Sequence, residues 1–149
     1  MIKTTYEEEL ERSGSFTYTN VGVSMLPLIK QGRDLFTVTK RQGKCKKYDV
    51  VLYRRPPASY VLHRVVKVRE NDYVILGDNC LKKEYGITDD DIIGVMTSFV
   101  RKGKEYSVNH LGYRIYSRVW YFLYPLRKLL AKMKLKLKTI VKRMIKRDK

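Results

Sequence analysis

The feature that most restricts the fold is a succession of short strand-forming segments between residues 16 and 108. The clearest is Tyr48–Tyr53, which is rich in apolar and β-branched residues and is ended by Arg54-Arg55-Pro56-Pro57. Further segments of this kind, separated by residues that favour turns, are Phe16–Val23, Leu35–Lys40, Tyr60–Val68, Tyr73–Leu76, Ile92–Val100 and Glu105–Val108. Such a pattern is typical of a compact β domain. We therefore expect a mainly β fold, built as a coiled β-sheet or a partly open barrel.

Helical patterns are expected at both ends of the chain. A short helix is predicted over residues 3–12, where Gly14 would end it. From about Leu111 apolar residues recur at spacings of three and four, and lysines and arginines fill most of the other positions; the apolar positions are Leu126, Leu130, Met133, Leu137, Ile140, Val141 and Met144. This pattern predicts a basic amphipathic helix with a break near Pro125. The chain is thus divided into a domain of residues 1–110 and an aromatic and basic helical tail of residues 111–149.

Positive charge is concentrated in that tail. The formal net charge is +17, and residues 111–149 hold 13 Lys/Arg and a single acid, whereas residues 1–110 hold 19 Lys/Arg and 14 Asp/Glu. Aromatic residues beside a basic amphipathic helix suit a bilayer interface, so we expect residues 113–149 to bind an anionic membrane surface. No recognised nucleic-acid motif accompanies the charge, and nucleic acid is not the expected partner. The alternative is that the aromatic segment packs on the body and the remainder is a solvated helix.

No metal, cofactor or disulfide is expected from the sequence. The two cysteines, Cys45 and Cys80, do not form a Cys-x-x-Cys pair, and no His/Cys cluster has the spacing of metal ligands. Residues 1–10 have no apolar core of the kind found in signal peptides, and no stretch reaches the ~18 uninterrupted apolar residues that span a bilayer. We expect a cytoplasmic protein that is peripheral at the cytoplasmic face of the membrane.

Only two histidines are available as a general base. A hydroxyl becomes a useful nucleophile when a base takes its proton, and histidine titrates near neutral pH. His63 lies within a predicted strand, where an isolated histidine is more often structural, and His110 has the pattern of an ordinary surface or hinge residue. Ser24 stands just before a proline turn, at Pro27, and taken alone is equally weak evidence. Their interpretation depends on the motifs around them.

Four short motifs follow one another along the chain. They are Ser24-Met25-Leu26-Pro27, Tyr48-Asp49-Val50-Val51, His63-Arg64-Val65 and Gly77-Asp78-Asn79. In this order and spacing they resemble the motifs of the signal peptidase I and LexA-like superfamily of serine peptidases, over roughly residues 16–104. His63 stands where bacterial members have a lysine, which is similar to the endoplasmic-reticulum and archaeal branch. The resemblance implies a sheet of the LexA and signal peptidase kind. It also implies a serine endopeptidase that cleaves leader- or signal-type peptides, with Ser24 as nucleophile and His63 as base.

Two carboxylates compete for the role of the acid that the resemblance implies, and a further counterpart, the run Asp89-Asp90-Asp91, has the pattern of a solvated loop. Asp78 matches the Gly-Asp-Asn motif and is our first choice as the essential acid. Glu84 lies at about the spacing at which the His-bearing branch has a further aspartate, and it is the rival partner of His63. Such a carboxylate would hold the imidazole in one tautomer and stabilise the imidazolium.

Two further residues are expected to line the oxyanion or substrate site. Gly22 stands where several signal peptidases have a hydroxyl, so the oxyanion would depend on backbone N–H groups, chiefly that of Ser24. Gly22 would also let a substrate strand approach closely, and Met25 belongs to the nucleophile motif itself. The resemblance implies that the substrate is a peptide or protein that binds as an added β-strand.

The region before Ser24 departs from the family. It holds neither the membrane anchor of a signal peptidase nor the DNA-binding domain of a LexA-type repressor. We therefore expect neither a housekeeping secretory signal peptidase nor a self-cleaving repressor. A non-catalytic peptide- or membrane-binding module on the same fold is the alternative function.

Overall fold

The computed structural model describes residues 5–147, which form eight strands and three helices. The strands are β1 (Ser15–Thr19), β2 (Leu35–Lys40), β3 (Val50–Arg55), β4 (Ser59–Val68), β5 (Tyr73–Leu76), β6 (Glu84–Ile87), β7 (Ile92–Arg101) and β8 (Lys104–Ser107). The helices are α1 (Tyr6–Ser13), α2 (Leu111–Phe122) and α3 (Tyr124–Arg147). The prediction of a mainly β protein with a helical C-terminal region is confirmed.

All eight strands belong to one antiparallel sheet. Its order is β1-β2-β7-β3-β4-β5-β6, and β8 pairs with the distal part of β7. Within residues 5–147, β1 and β6 do not pair with each other, so the sheet is not closed and keeps two open edges. Open edges carry unpaired backbone N–H and C=O groups, which an extended peptide can use.

The main core cluster fixes the turn that follows β1. Met25 and Ile29 from this turn are fully buried, and they pack with Leu10 of α1, with residues of the central strands and with Tyr113 of α2. Burying apolar side chains of this size is strongly favourable, at roughly 1.5–3 kcal/mol each. The turn containing Ser24 is therefore held rigidly against the sheet.

Helix α1 ends at Gly14, as predicted, and within the described residues it begins at Tyr6. Thr5 and Glu8 form a capping box, in which the Thr5 hydroxyl accepts from the Glu8 amide and the Glu8 carboxylate accepts from the Thr5 amide. Gly14 ends the helix at φ 72°, a left-handed conformation that glycine adopts without strain. Residues 3 and 4, which the prediction included, lie outside the described residues.

Two strands differ most from the prediction, and β3 is shifted by two residues, to Val50–Arg55 from the predicted Tyr48–Tyr53. The first strand ends at Thr19 instead of Val23, because Asn20 to Val23 lead into the turn and Gly22 has a φ of 88°. Strand β6 was not predicted at all. It has only four residues, and its Gly86 interrupts the β-forming pattern with a φ of 74°.

The tail consists of two parts with different environments. The break predicted near Pro125 lies at Leu123, between α2 and α3. Helix α2 packs on the body through Tyr113 and Ser117, which are buried, whereas every residue from 132 to 146 is exposed. No helix within residues 5–147 combines the length and the apolar character needed to cross a bilayer.

Candidate active site

A cleft of about 920 Å³ brings three of the predicted site residues together. Ser24, His63 and Glu84 all line it. Residues 18–21, at and after the end of β1, line the cleft, as do residues 79–82 and Glu84, which lead into β6. The cleft is therefore bordered by residues of both edge strands, β1 and β6.

The Gly-Asp-Asn motif holds the turn that carries Ser24. The backbone amide of Asn79 donates to the carbonyl oxygen of Ser24 at 2.7 Å, and the Asn79 side-chain amide donates to the carbonyl oxygen of Val23 at 3.1 Å. Two motifs that are far apart in the sequence thus form one unit. This contact fixes the backbone of Ser24 against the loop that follows β5.

Gly77 lies beside both the imidazole of His63 and the backbone carbonyl of Ser24. A Cβ atom built on Gly77 would lie 2.8 Å from His63 Nε2 and 2.9 Å from the carbonyl oxygen of Ser24. Any side chain at position 77 would therefore displace the imidazole, the Ser24 backbone or both. Within the described residues, no hydrogen bond joins the Ser24 hydroxyl to the imidazole, a contact that often forms only when substrate binds.

The imidazole of His63 is buried and is held through its other nitrogen. Nδ1 lies 3.0 Å from Glu84 Oε1 and 3.3 Å from the hydroxyl of Tyr53. Burial lowers the pKa of His63 below its usual 6.5, and the nearby Glu84 carboxylate opposes this only in part. The imidazole is therefore neutral near pH 7, as a general base must be.

Glu84 is fixed by two residues of β3. The Tyr53 hydroxyl donates to Oε1 at 2.7 Å, and the Arg55 guanidinium donates to both carboxylate oxygens, with Nε 3.0 Å from Oε2. Burial favours the neutral acid, but these hydrogen bonds outweigh it and lower the pKa of Glu84. The residue beside His63 is thus an ionised, oriented carboxylate.

Asp78, our first choice from the sequence, does not occupy this position. Its carboxylate accepts two hydrogen bonds from the Arg64 guanidinium, each 2.8 Å long, and a third from the Tyr116 hydroxyl at 2.8 Å. Arg64 and Asp78 are both buried. The prediction that Asp78 supports His63 directly is therefore wrong, and the rival prediction, Glu84, matches the geometry.

The pleat of β4 explains why each acid has a different partner. Successive side chains of a strand point to opposite faces. His63 and Arg64 are neighbours in β4, so one side chain turns towards Glu84 and the cleft while the other turns towards Asp78 and α2. One strand thus supplies the base of the site and the anchor of the helical segment.

Gly22 and Met25 do not line the cleft. The Met25 side chain is fully buried in the core, so the prediction that it contacts substrate is wrong for the side chain. Gly22 uses its amide to donate to Gln31 Oε1 at 2.7 Å and is adjacent to the cleft residue Val21. Among the hydrogen bonds of residues 5–147, none is donated by the backbone amide of Ser24.

Tyr53 and Arg55 were missed by the sequence reasoning. A signal for them exists, because residues two apart in a strand share a face and Val51 pairs directly with His63. Tyr53 and Arg55 continue the face of Val51 along β3. His110, by contrast, has the ordinary role expected of it, since its imidazole accepts from the Gly112 amide and caps α2.

Comparison with known proteins does not assign a family. No protein-family model, no curated protein and no solved structure matches this chain. The geometry of the cleft and the residues that line it therefore indicate the function.

Proposed function

We propose that this protein is a serine endopeptidase in which Ser24 is the nucleophile, His63 is the general base and Glu84 orients the imidazole. One observation carries the proposal. His63 Nδ1 lies 3.0 Å from the Glu84 carboxylate, while Nε2 lies on the side of the ring beside Ser24, in a shared cleft. A nucleophile, a base and a third group that orients the base are the arrangement that nucleophilic hydrolysis requires.

The proposed reaction uses His63 twice. Nε2 takes the proton of the Ser24 hydroxyl as Oγ attacks the peptide carbonyl carbon, and it returns this proton to the leaving amine when the C–N bond breaks. Water then attacks the acyl-enzyme with the same assistance, which releases the acid and restores Ser24. The unengaged amide of Ser24 supports a backbone oxyanion site, because it can donate to the negative oxygen of each tetrahedral intermediate.

The proposed substrate is an extended segment of a peptide or protein, of the leader or signal type. The position of the cleft at the two open edges supports this, since an extended backbone can hydrogen-bond along a strand edge. The motifs around Ser24, His63 and Gly77 support a fold of the LexA and signal peptidase kind. By that resemblance we propose that small residues precede the cleaved bond.

We place the enzyme in the cytoplasm, at the cytoplasmic face of a membrane. The 13 Lys/Arg of residues 111–149 support this location because dense positive charge resists translocation. The free thiols of Cys45 and Cys80 are compatible with a reducing compartment.

The proposal is tested by labelling with a fluorophosphonate probe and by cleavage of an unbiased peptide library, read by mass spectrometry. Wild-type protein should gain one probe adduct and should cleave library peptides. Ser24→Ala and His63→Ala should lose both activities by at least about 10³-fold while keeping the circular dichroism spectrum. Ser107→Ala, at a serine that does not line the cleft, is the matched control and should behave as wild type.

Labelling or cleavage that survives in Ser24→Ala would overturn the proposal. Peptides that bind the wild type without being cut would instead favour the alternative function, a non-catalytic binding module. This alternative is tested because no hydrogen bond joins the Ser24 hydroxyl to His63 within the described residues.

A further inference from the structure

Helix α3 presents an apolar stripe that nothing in the described structure covers. Its members recur at spacings of three and four, so they share one face of the helix. Each member has between 46% and 63% of its surface exposed: Leu126, Leu130, Met133, Leu137, Ile140, Val141 and Met144. These residues are defined here as the α3 stripe. A row of large apolar side chains on one face marks a docking surface.

The other faces of α3 are strongly basic. The helix holds ten Lys/Arg and no acid. No ion pair joins any of these side chains to the body within the described residues, the side chain of Arg147 being outside them. The surface that covers the stripe must therefore be apolar in the centre and negatively charged at the margins.

Most of α3 is a helix without tertiary support. All residues from 132 to 146 are exposed, including those of the stripe. A helix of about 15 residues is marginal in water even with favourable residues, because nucleation is costly and only packing of an apolar face makes it stable. A surface that accepts the stripe would provide this stabilisation.

We infer that α3 is a docking element for an anionic lipid surface, in which the stripe enters the headgroup region and the basic residues contact lipid phosphates. Nucleic acid would use the positive charge but leaves the stripe in water. A second copy of the chain would cover the stripe but brings two sets of ten basic residues together without an acid between them. An anionic lipid surface can bury the α3 stripe and also place phosphates beside the basic residues.

The first turn of α3, residues 124–127, places this docking element beside the cleft. The Tyr124 hydroxyl donates to the carbonyl oxygen of Leu81 at 2.6 Å, and Arg127 donates to the carbonyl oxygen of Asp78 at 2.8 Å. Leu81 itself lines the cleft. A protein docked through α3 would therefore hold its cleft close to the lipid surface, within reach of peptide segments that emerge from the bilayer.

The test uses the full-length protein and sedimentation with vesicles of phosphatidylcholine alone or with 30% phosphatidylglycerol. Binding should require the anionic lipid, weaken in high salt and raise the helix content seen by circular dichroism. Leu130→Gln/Leu137→Gln should lower the partition coefficient between water and the anionic vesicles by at least about tenfold. The matched control is Leu135→Gln, which changes an equally exposed leucine off the stripe (67% exposed) and should have little effect.

Charge is tested separately from the stripe. Lys132→Glu/Lys136→Glu should abolish binding to the anionic vesicles, whereas Lys67→Glu/Lys104→Glu, with the same change in net charge on exposed strand positions, should not. The inference would be overturned if the stripe variant bound vesicles as well as the wild type does while Lys132→Glu/Lys136→Glu lost binding to vesicles and to duplex DNA alike. That result would identify a non-specific surface for polyanions. A solution dimer that is lost only in the stripe variant would also overturn the inference. None of these readouts uses peptidase activity, so they test the docking of α3 and the proposed membrane location but not the proposed peptidase activity.

Discussion

At the scale of single residues, the site depends on which side chain faces His63. Glu84 reaches the imidazole, and Tyr53 and Arg55 hold Glu84 in an ionised state. A histidine supported in this way is fixed in the tautomer that leaves Nε2 free to accept a proton. The burial of His63 adds a second effect, since it keeps the imidazole neutral below the pH at which an exposed histidine becomes charged.

Glu84→Gln should lower kcat by on the order of 10²- to 10⁴-fold with little loss of stability, because an amide cannot stabilise the imidazolium. The acid limb of kcat/KM should lie below pH 6.5 in the wild type, since the pKa of His63 is lowered and activity is lost only when the ring becomes protonated. In Glu84→Gln this limb should move to still lower pH, because Glu84 raises the pKa of His63. The measurement is kcat/KM against pH, on a peptide taken from the library. An unchanged rate and limb would show that Glu84 does not act on the base.

At the scale of elements, Asp78 joins the loop after β5 to the C-terminal helices. Its carboxylate binds Arg64 of β4 and Tyr116 of α2, and its carbonyl oxygen accepts from the Trp120 indole at 2.7 Å and from Arg127. The same loop carries Asn79, which holds the Ser24 turn. Asp78 therefore supports the site by fixing the loop that positions the nucleophile.

Asp78→Asn should destabilise the protein by about 3–5 kcal/mol, because it leaves the Arg64 guanidinium buried without a counter-charge. Urea unfolding monitored by tryptophan fluorescence measures this change. The control is Asp72→Asn, at a partly exposed pair with Arg69 whose nitrogen–oxygen distance is 3.4 Å, for which the expected loss is below about 1 kcal/mol. In the folded fraction of Asp78→Asn the acid limb of cleavage should move to lower pH by less than in Glu84→Gln, because Asp78 raises the pKa of His63 as a smaller cause than Glu84. Equal losses of stability in Asp78→Asn and Asp72→Asn would contradict the role of Asp78 as the buried counter-charge of Arg64.

At the scale of the whole molecule, the chain divides after the first turn of α3 into a packed body and an exposed helix. The body includes α2, since Tyr113 is buried against Phe99, with ring centroids 5.3 Å apart, and its hydroxyl accepts from Arg64 at 3.1 Å. Tyr124 extends this packing into a small cluster with Val66, Val74 and Leu76. Beyond residue 131 the described chain contributes nothing to the core.

Removing residues 132–149 should therefore leave the melting temperature within about 2 °C of the wild type and leave probe labelling of Ser24 unchanged. Removing everything from residue 111 onward should instead strongly destabilise the protein, because it exposes the Arg64–Asp78 pair and part of the core. Thermal melts and labelling of the two truncated chains measure the difference. A large loss of stability in the shorter truncation would show that the end of α3 packs on the body.

Local pattern in the sequence determined most of the elements. The strands with strong β-forming runs, the cap and end of α1, and the break between α2 and α3 all depend on residues within a few positions of one another. The sequence also indicated Ser24 and His63, because the motifs around them keep their order along the chain. Strand β6 was not predicted because four residues are too few to show a β-forming pattern, and pairing with β5 stabilises it.

Only the tertiary structure decided which acid meets the base and which part of the tail packs. Asp78 and Glu84 are six positions apart and both are plausible by spacing, but the pleat of β4 sends His63 to one and Arg64 to the other. The sequence predicts that the aromatic residues of α2 contact a membrane interface, whereas partners from β4 and the loop after β5 bury Tyr113 and partly bury Tyr116 and Trp120. Such choices depend on contacts between distant segments, and periodicity within a segment carries no information about them.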